Sequence, residues 1–440
     1  MTAAIQISET EPTPLLRDFS EFTAYLKSHQ VILATAQECI GGKDLYALNQ
    51  AMSEPVPDTT TRTRQTLYPQ LHLFYHLVLA GELFRKMPGK GDKLVLEETD
   101  RLAQYEALQP TERYFFLLET LWVDCDWKKL QSGHGVRLDP PCEVPPVVEL
   151  LREPVEEKRK KKWRDRFSYS LSPLEYLVLH LATFGFWRVE LDRETKGRSK
   201  HDIRFKRIEL SDFGAKLASV LASERDFLHW NLPTRRQAFG EWKAEPGDPL
   251  DEERVAIYRL VTEAKTRLDK KAPEEYGGRA GEPFYQPFVS LVDIGALERS
   301  LSRKRIEFAD GVYCFNVALK KNLWRRIETA GEHTLKDLHH AIRGAYGFDD
   351  DHLYAFFMDG EPWSDGKFTS PNDEEGPYVD EVRIGELGLS EGQRMLYLFD
   401  YGDEWRFQVA VEAIRKSGAR PHEPKVVDQK GKAPEQYEHY

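Results

Sequence analysis

The chain has 440 residues but only four cysteines. Cys39, Cys125, Cys142 and Cys314 are too few and too scattered for a disulfide framework, and no Cys-x-x-Cys pair offers a zinc site. Such usage predicts a reducing, cytoplasmic setting. The first residues, MTAAIQISETEPTPLLRDF, lack the basic start and apolar core of a secretory leader. The longest apolar run, Tyr176 to Trp187, is too short to span a bilayer and contains His180, so no membrane contact is expected. The familiar catalytic signatures are missing too: there is no phosphate-binding P-loop, no Gly-x-Gly-x-x-Gly, no His-Glu-x-x-His and no Gly-x-Ser-x-Gly.

What is present is enough to fold. A hydrophobic content of 40% and an aromatic content of 12% supply real cores and exclude global disorder. At roughly 150 residues per domain the chain holds about three domains. Pro-rich breaks at Asp139–Pro146 and Glu245–Pro249, and a Gly/Pro/Tyr connector near Glu274–Pro287, divide it. The expected division is 1–140, 150–270, 302–415, and a loose tail over 416–440.

The net charge of −11 is unevenly placed. Asp310 to Glu412 carries 10 Lys and Arg against 21 Asp and Glu, a net of −11, which leaves 52 of each sign elsewhere. A surface that acidic repels phosphate backbones. Any nucleic-acid contact is therefore expected from the first 300 residues, and the acidic domain suits a basic protein partner instead.

Two runs in the first half look alike. Leu71–Lys86 is an apolar helix ending near Gly81, followed by a turn, the strand residues Lys93–Leu96, and a helix from Thr99. Pro173–Asp192 repeats this around Gly185, with a basic loop, the strand Ile203–Leu210 and a helix from Ser211. Ser172, Pro173 and Glu175 read as the cap, first residue and capping-box partner of the second run's first helix. Helix, strand, basic wing, strand, helix is how the end of a winged-helix module reads. The wing holds Arg193, Lys196, Arg198, Lys200, Arg204, Lys206 and Arg207, and Lys158–Arg166 adds a second basic stretch. Lys160, Lys161, Lys162, Arg198, Lys200, Arg204 and Lys206 are the candidate DNA contacts within 150–210. The competing reading is a solvated linker and a charged hairpin edge.

The C-terminal region reads as α+β. Val312–Leu319 alternates as a half-buried strand should. Thr334 and Asp337 form a capping-box-like start, Leu335, Leu338, Ile342 and Tyr346 share one helical face, and Gly347 is placed to end the helix. Leu353–Met358, Met395–Tyr401 and Trp405–Val411 supply further strands, and with Ile384–Leu389 suggest a β-grasp-like arrangement. The fold class expected for the whole chain is thus α+β multidomain: mainly helical winged-helix-like modules, then this domain.

Four features recur here in fixed order: Leu323-Trp324-Arg325-Arg326, the capped helix from Thr334, the turn Asp349-Asp350-Asp351-His352, and the hairpin Asp400-Tyr401-Gly402-Asp403-Glu404-Trp405. Together they resemble the plasmid pRiA ORF-three-like family, also known as insertion-sequence-element passenger TnpR proteins. The resemblance implies a bacterial mobile-element setting and little about activity. The serine-recombinase pattern Tyr-x-Arg-x-Ser is missing, so it does not imply resolvase chemistry. The family tends to have histidines where this chain has Tyr354 and Phe407.

Two constellations could carry chemistry. Asp350, His352, Asp400 and Asp403 are the ligand types a divalent metal requires, although Asp residues in turns commonly bond their own backbone. The missing family histidines favour the turn reading, so no cofactor is predicted. Trp324, Arg325, Arg326 and Trp405 could clamp an anion or stack on a base; the competing reading is internal pairing with the domain's own carboxylates. The sequence leans toward a non-enzymatic nucleic-acid or protein binder. A metal-dependent phosphodiester hydrolase and a scaffold without nucleic-acid contact are the alternatives.

Overall fold

The structure, a computed structural model, describes residues 4–34, 38–89, 93–131, 139–152, 174–191, 203, 205–253, 255–256, 260, 280–303, 307–364, 366–374 and 376–436. The chain forms two compact units, Met1–Arg235 with Ala244–Ser302, and Arg236–Lys243 with Arg303–Tyr440. It is α+β throughout, helix-rich in the first unit and sheet-rich in the second. Among the described residues no helix is long and apolar enough to cross a membrane.

In the first unit, helix Leu15–Ser28 turns Leu15, Phe19, Phe22 and Leu26 inward, the spacing that lines one helical face. Phe19 meets Phe74 and Tyr105 edge-on at 5.2 and 5.6 Å. Strands β1 (Ile32–Ala34), β2 (Cys39–Ile40), β3 (Phe84–Pro88) and β4 (Leu94–Glu98) form a sheet in the order β2-β1-β4-β3.

Both expected helix–strand–strand–helix runs are present. The first is Pro69–Ala80, β3, β4 and Asp100–Glu106. The second is Glu175–Thr183, β5 (Trp187–Leu191), β6 (Phe205–Leu210) and Asp212–Glu224, with β5 and β6 paired antiparallel. Thr99 and Ser211 cap the closing helices by accepting hydrogen bonds from Arg101 N and Gly214 N. Gly185 takes φ +81°, a left-handed turn that glycine makes at little cost. Ser172 and Pro173 lie outside the described residues, and the second run's first helix begins at Glu175.

The Pro-rich stretch read as a break is helical in the structure: Pro140–Arg152 is one helix, with Pro145 and Pro146 inside it. The carbonyl of Asp139 accepts from Cys142 N and Glu143 N. Cys142, Val144, Val147 and Val148 are buried. Tertiary burial here outweighs the backbone hydrogen bonds that the two interior prolines cannot donate.

The second unit is built on a seven-stranded sheet. Its strands are β7 (Val312–Lys320), β8 (Leu323–Ala330), β9 (Tyr354–Phe357), β10 (Lys367–Thr369), β11 (Arg394–Phe399), β12 (Trp405–Arg415) and β13 (Lys425–Lys430). The order is β10-β9-β11-β12-β7-β8-β13, and the paired strands run antiparallel. Helix Leu335–Tyr346 packs on one face, joining Leu335, Leu338 and Ile342 to Phe315, Phe356, Tyr397, Phe407 and Val409 in a single core. The expected caps are in place: Thr334 and Asp337 form a full capping box, and Gly347 ends the helix at φ +72°.

Three local readings change. β7 lies between β12 and β8, and Val312–Phe315 are buried on both faces rather than alternating. Residues expected as a loose tail include β13, which pairs with β8. The segment Arg236–Lys243, which nothing in the sequence tied to this domain, brings Trp242 against Phe368 at 4.5 Å and Lys243 to Glu386 at 3.1 Å.

Candidate functional site

The capping box fixes where helix Leu335–Tyr346 starts, and so fixes which residues face the sheet. His339 lies four residues past Leu335 and three before Ile342, on the buried side. Its side chain has 0% exposure. The ring lies flat on Tyr354, centroids 3.5 Å apart. Its Nδ1 is 2.7 Å from the Tyr397 hydroxyl and its Nε2 is 3.0 Å from Asp350 Oδ1.

Burial holds the His339 imidazole down at about 4, so it is neutral near pH 7. A carboxylate can only accept, so Nε2 carries the hydrogen and donates to Asp350, while Nδ1 accepts from the Tyr397 O–H. Partial burial raises the Asp350 carboxyl, but the His339 hydrogen bond and the charge of Arg343 outweigh it and hold it below its ordinary value. Arg343 Nε stands 3.4 Å from Asp350 Oδ1, and His340 Nδ1 stands 3.8 Å from Oδ2. Gly347 makes this possible, because its left-handed turn reverses the chain and returns Asp350 to the last turns of the helix.

A second group forms beside β11. His352 Nε2 is 3.2 Å from Asp351 Oδ1 and 3.4 Å from Asp400 Oδ2. Asp400 Oδ1 accepts from the backbone N–H of Gly402 at 2.9 Å and of Asp403 at 3.3 Å. Asp400 itself takes φ +59°. This is the Asx turn that aspartate favours at a tight reversal.

The four expected metal ligands are therefore divided. His352 and Asp400 come together, Asp350 is held by His339 and Arg343, and Asp403 gives its backbone N–H to the Asp400 turn. Among the described residues, the group that brings three ligand atoms within 4.8 Å of one another is His339, His340 and Asp350. Neither histidine was among the residues expected from sequence. The signal was available at His339, since Leu335, Leu338 and Ile342 mark its face as buried.

The Trp-Arg-Arg run splits across the two faces of β8. Arg325 is buried, with its guanidinium 4.6 Å over the Tyr346 ring and Nε donating to Ala345 O at 3.0 Å. Arg326 faces the other way, to Glu412 at 2.5 Å and Asp428 at 2.9 Å, over the Trp324 ring at 5.4 Å. Trp405 is half-buried against Phe348 at 4.9 Å. Tyr354 and Phe407, where the family tends to have histidines, are both buried in the core.

Of the basic candidates, Lys206 pairs with Glu190 at 2.6 Å across the β5–β6 hairpin, and Arg207 pairs with Glu209. Lys160, Lys161, Lys162, Arg198, Lys200 and Arg204 lie outside the described residues.

The family model described as plasmid pRiA4b ORF-3-like protein matches residues 312–437. The C-terminal domain thus carries the pattern its motifs suggested. A solved structure of a protein of unknown function from Methanosarcina mazei Go1 is 23% identical and covers 28% of this chain and 72% of its own, with a TM-score of 0.25. No curated protein matches the chain.

Proposed function

We propose that the protein is a non-enzymatic binding protein associated with bacterial mobile elements. In this reading the two helix–hairpin–helix runs of the first unit act as winged-helix-like modules that contact DNA. The C-terminal domain acts as an acidic interaction module for a basic protein partner. The observation that carries the binding reading over the hydrolase is the division of the carboxylates. Asp400 is engaged by its own turn and His352, while Asp350 lies with His339 and Arg343 on the other group, and this separation speaks against the expected quartet forming one centre.

The charge distribution supports this division of roles. The domain bearing the net −11 disfavours a phosphate backbone, whereas the sequence between β5 and β6 carries Arg193, Lys196, Arg198, Lys200 and Arg204. Binding of duplex DNA by the full chain across a salt series tests the reading. Affinity that falls steeply with salt supports it, and no binding at low ionic strength leaves a scaffold without nucleic-acid contact.

A further inference from the structure

The geometry points to a binding site for one borderline divalent cation of the Zn²⁺, Co²⁺ or Ni²⁺ class, held by His339, His340 and Asp350. The site goes beyond the DNA-binding reading and does not depend on it.

The donor set decides the class of ion. Two imidazoles and one carboxylate suit zinc, cobalt and nickel, whereas magnesium and calcium take oxygen ligands. Three protein ligands leave room for water, as in zinc sites that are not closed. The distances allow it: one nitrogen from each ring and one Asp350 oxygen lie within 4.8 Å of one another, close enough to share an ion after small rotations of His340 and Asp350. Those two side chains are each 45% exposed and His339 is fully buried. The cation would enter from solvent onto the exposed pair and meet a fixed ligand beneath.

The fixed ligand is built as metal-bound histidines usually are, with the other ring nitrogen hydrogen-bonded and the ring orientation set from outside. Tyr397 stands 2.7 Å from Nδ1 and Tyr354 stacks on the ring face. Ligation through Nε2 requires the tautomer opposite to the metal-free one: the ring hydrogen leaves Nε2, where it bonds Asp350, and sits on Nδ1, whose N–H then donates to the Tyr397 oxygen. Arg343 is the opposing charge. Its Nε lies 3.4 Å from Asp350 Oδ1, so a cation competes with it for that oxygen. The set differs from the one expected from sequence, since His352, Asp400 and Asp403 take no part.

The test uses the untagged full chain. Co²⁺ titration followed by visible absorption reads ligand-field bands of the bound ion, and melting with Zn²⁺ or Mg²⁺ reads stabilisation by mass action. Expected are a saturable cobalt spectrum, a rise in melting temperature with Zn²⁺ and none with Mg²⁺. His340→Ala should abolish the spectrum while leaving the metal-free melting temperature near wild type, because that side chain is half-exposed. His352→Ala should keep the spectrum. Tyr397→Phe should weaken cobalt affinity by about 10–100-fold, as loss of an outer-shell partner does. No cobalt spectrum together with an unchanged Zn²⁺ melt would overturn the site. So would a spectrum lost in His352→Ala and kept in His340→Ala.

Discussion

His339 and Tyr354 lie face to face, with ring planes 3° from parallel and centroids 3.5 Å apart. The contact joins the capped helix to β9 and seals the imidazole from water, which holds it down at about 4. His72 and His180, in the first unit, are held down by burial at about 4 and about 3. A histidine whose folded value is depressed favours the folded state fully above its unfolded value, about 6.5. As pH falls from there toward the folded value, the unfolded chain binds more protons and stability is lost. Chemical denaturation should therefore show stability falling between pH 6.5 and about 3. The His339 ring resonances should stay untitrated until about pH 4; a ring that titrates near 6.5 contradicts the sealed packing.

Two glycines should respond in opposite directions to the same substitution. A Cβ on Gly214 would lie 2.0 Å from the carbonyl oxygen of Phe186 and 2.4 Å from its Cα. Backbone cannot swing away as a side chain can, so Gly214→Ala should cost about 3 kcal/mol or more, the upper end of overpacking. Gly344, exposed on helix Leu335–Tyr346, has nothing within 4 Å of such a Cβ. Gly344→Ala should stabilise by about 0.5–1 kcal/mol through helix propensity. Thermal melts of the two variants check both signs.

Trp405 should act as a packing residue. It is half-buried on Phe348, and its Nε1 is buried with no hydrogen-bond partner. Trp405→Ala should cost about 2–3 kcal/mol, below the ~3–5 kcal/mol of a fully buried Trp. Trp405→Phe should cost much less, because the indole N–H has no bond to lose. Urea denaturation of the pair measures the difference; equal losses would contradict the packing role.

The helix Leu335–Tyr346 was legible in the sequence because its signals are local: a capping pair three residues apart, an apolar face, and a glycine at the end. β13 was not legible, because its residues are exposed on both faces and show no alternation. It is a strand only because β8 offers an unpaired edge. The site was half legible for the same reason. His352 and Asp400 were singled out as ligand types, but the partnership of His339 with Asp350 depends on the chain reversing at Gly347. The likeness between the two helix–hairpin–helix runs was visible as pattern, yet Asp139–Pro146 read as a break because the burial of Val144, Val147 and Val148 in helix Pro140–Arg152 lies outside local sequence.

In the proposed function, DNA contacts the basic stretches of the first 300 residues and not the acidic domain. The most direct measurement is duplex-DNA affinity of the full chain across a salt series, compared with a variant in which Lys160, Lys161, Lys162, Arg198, Lys200 and Lys206 are replaced by Ala. Expected are salt-sensitive binding by the wild type and a slope shallower in the variant by about 0.9 for each phosphate that is no longer neutralised. Binding with an unchanged slope in the variant, or no binding at low ionic strength, would contradict the proposal.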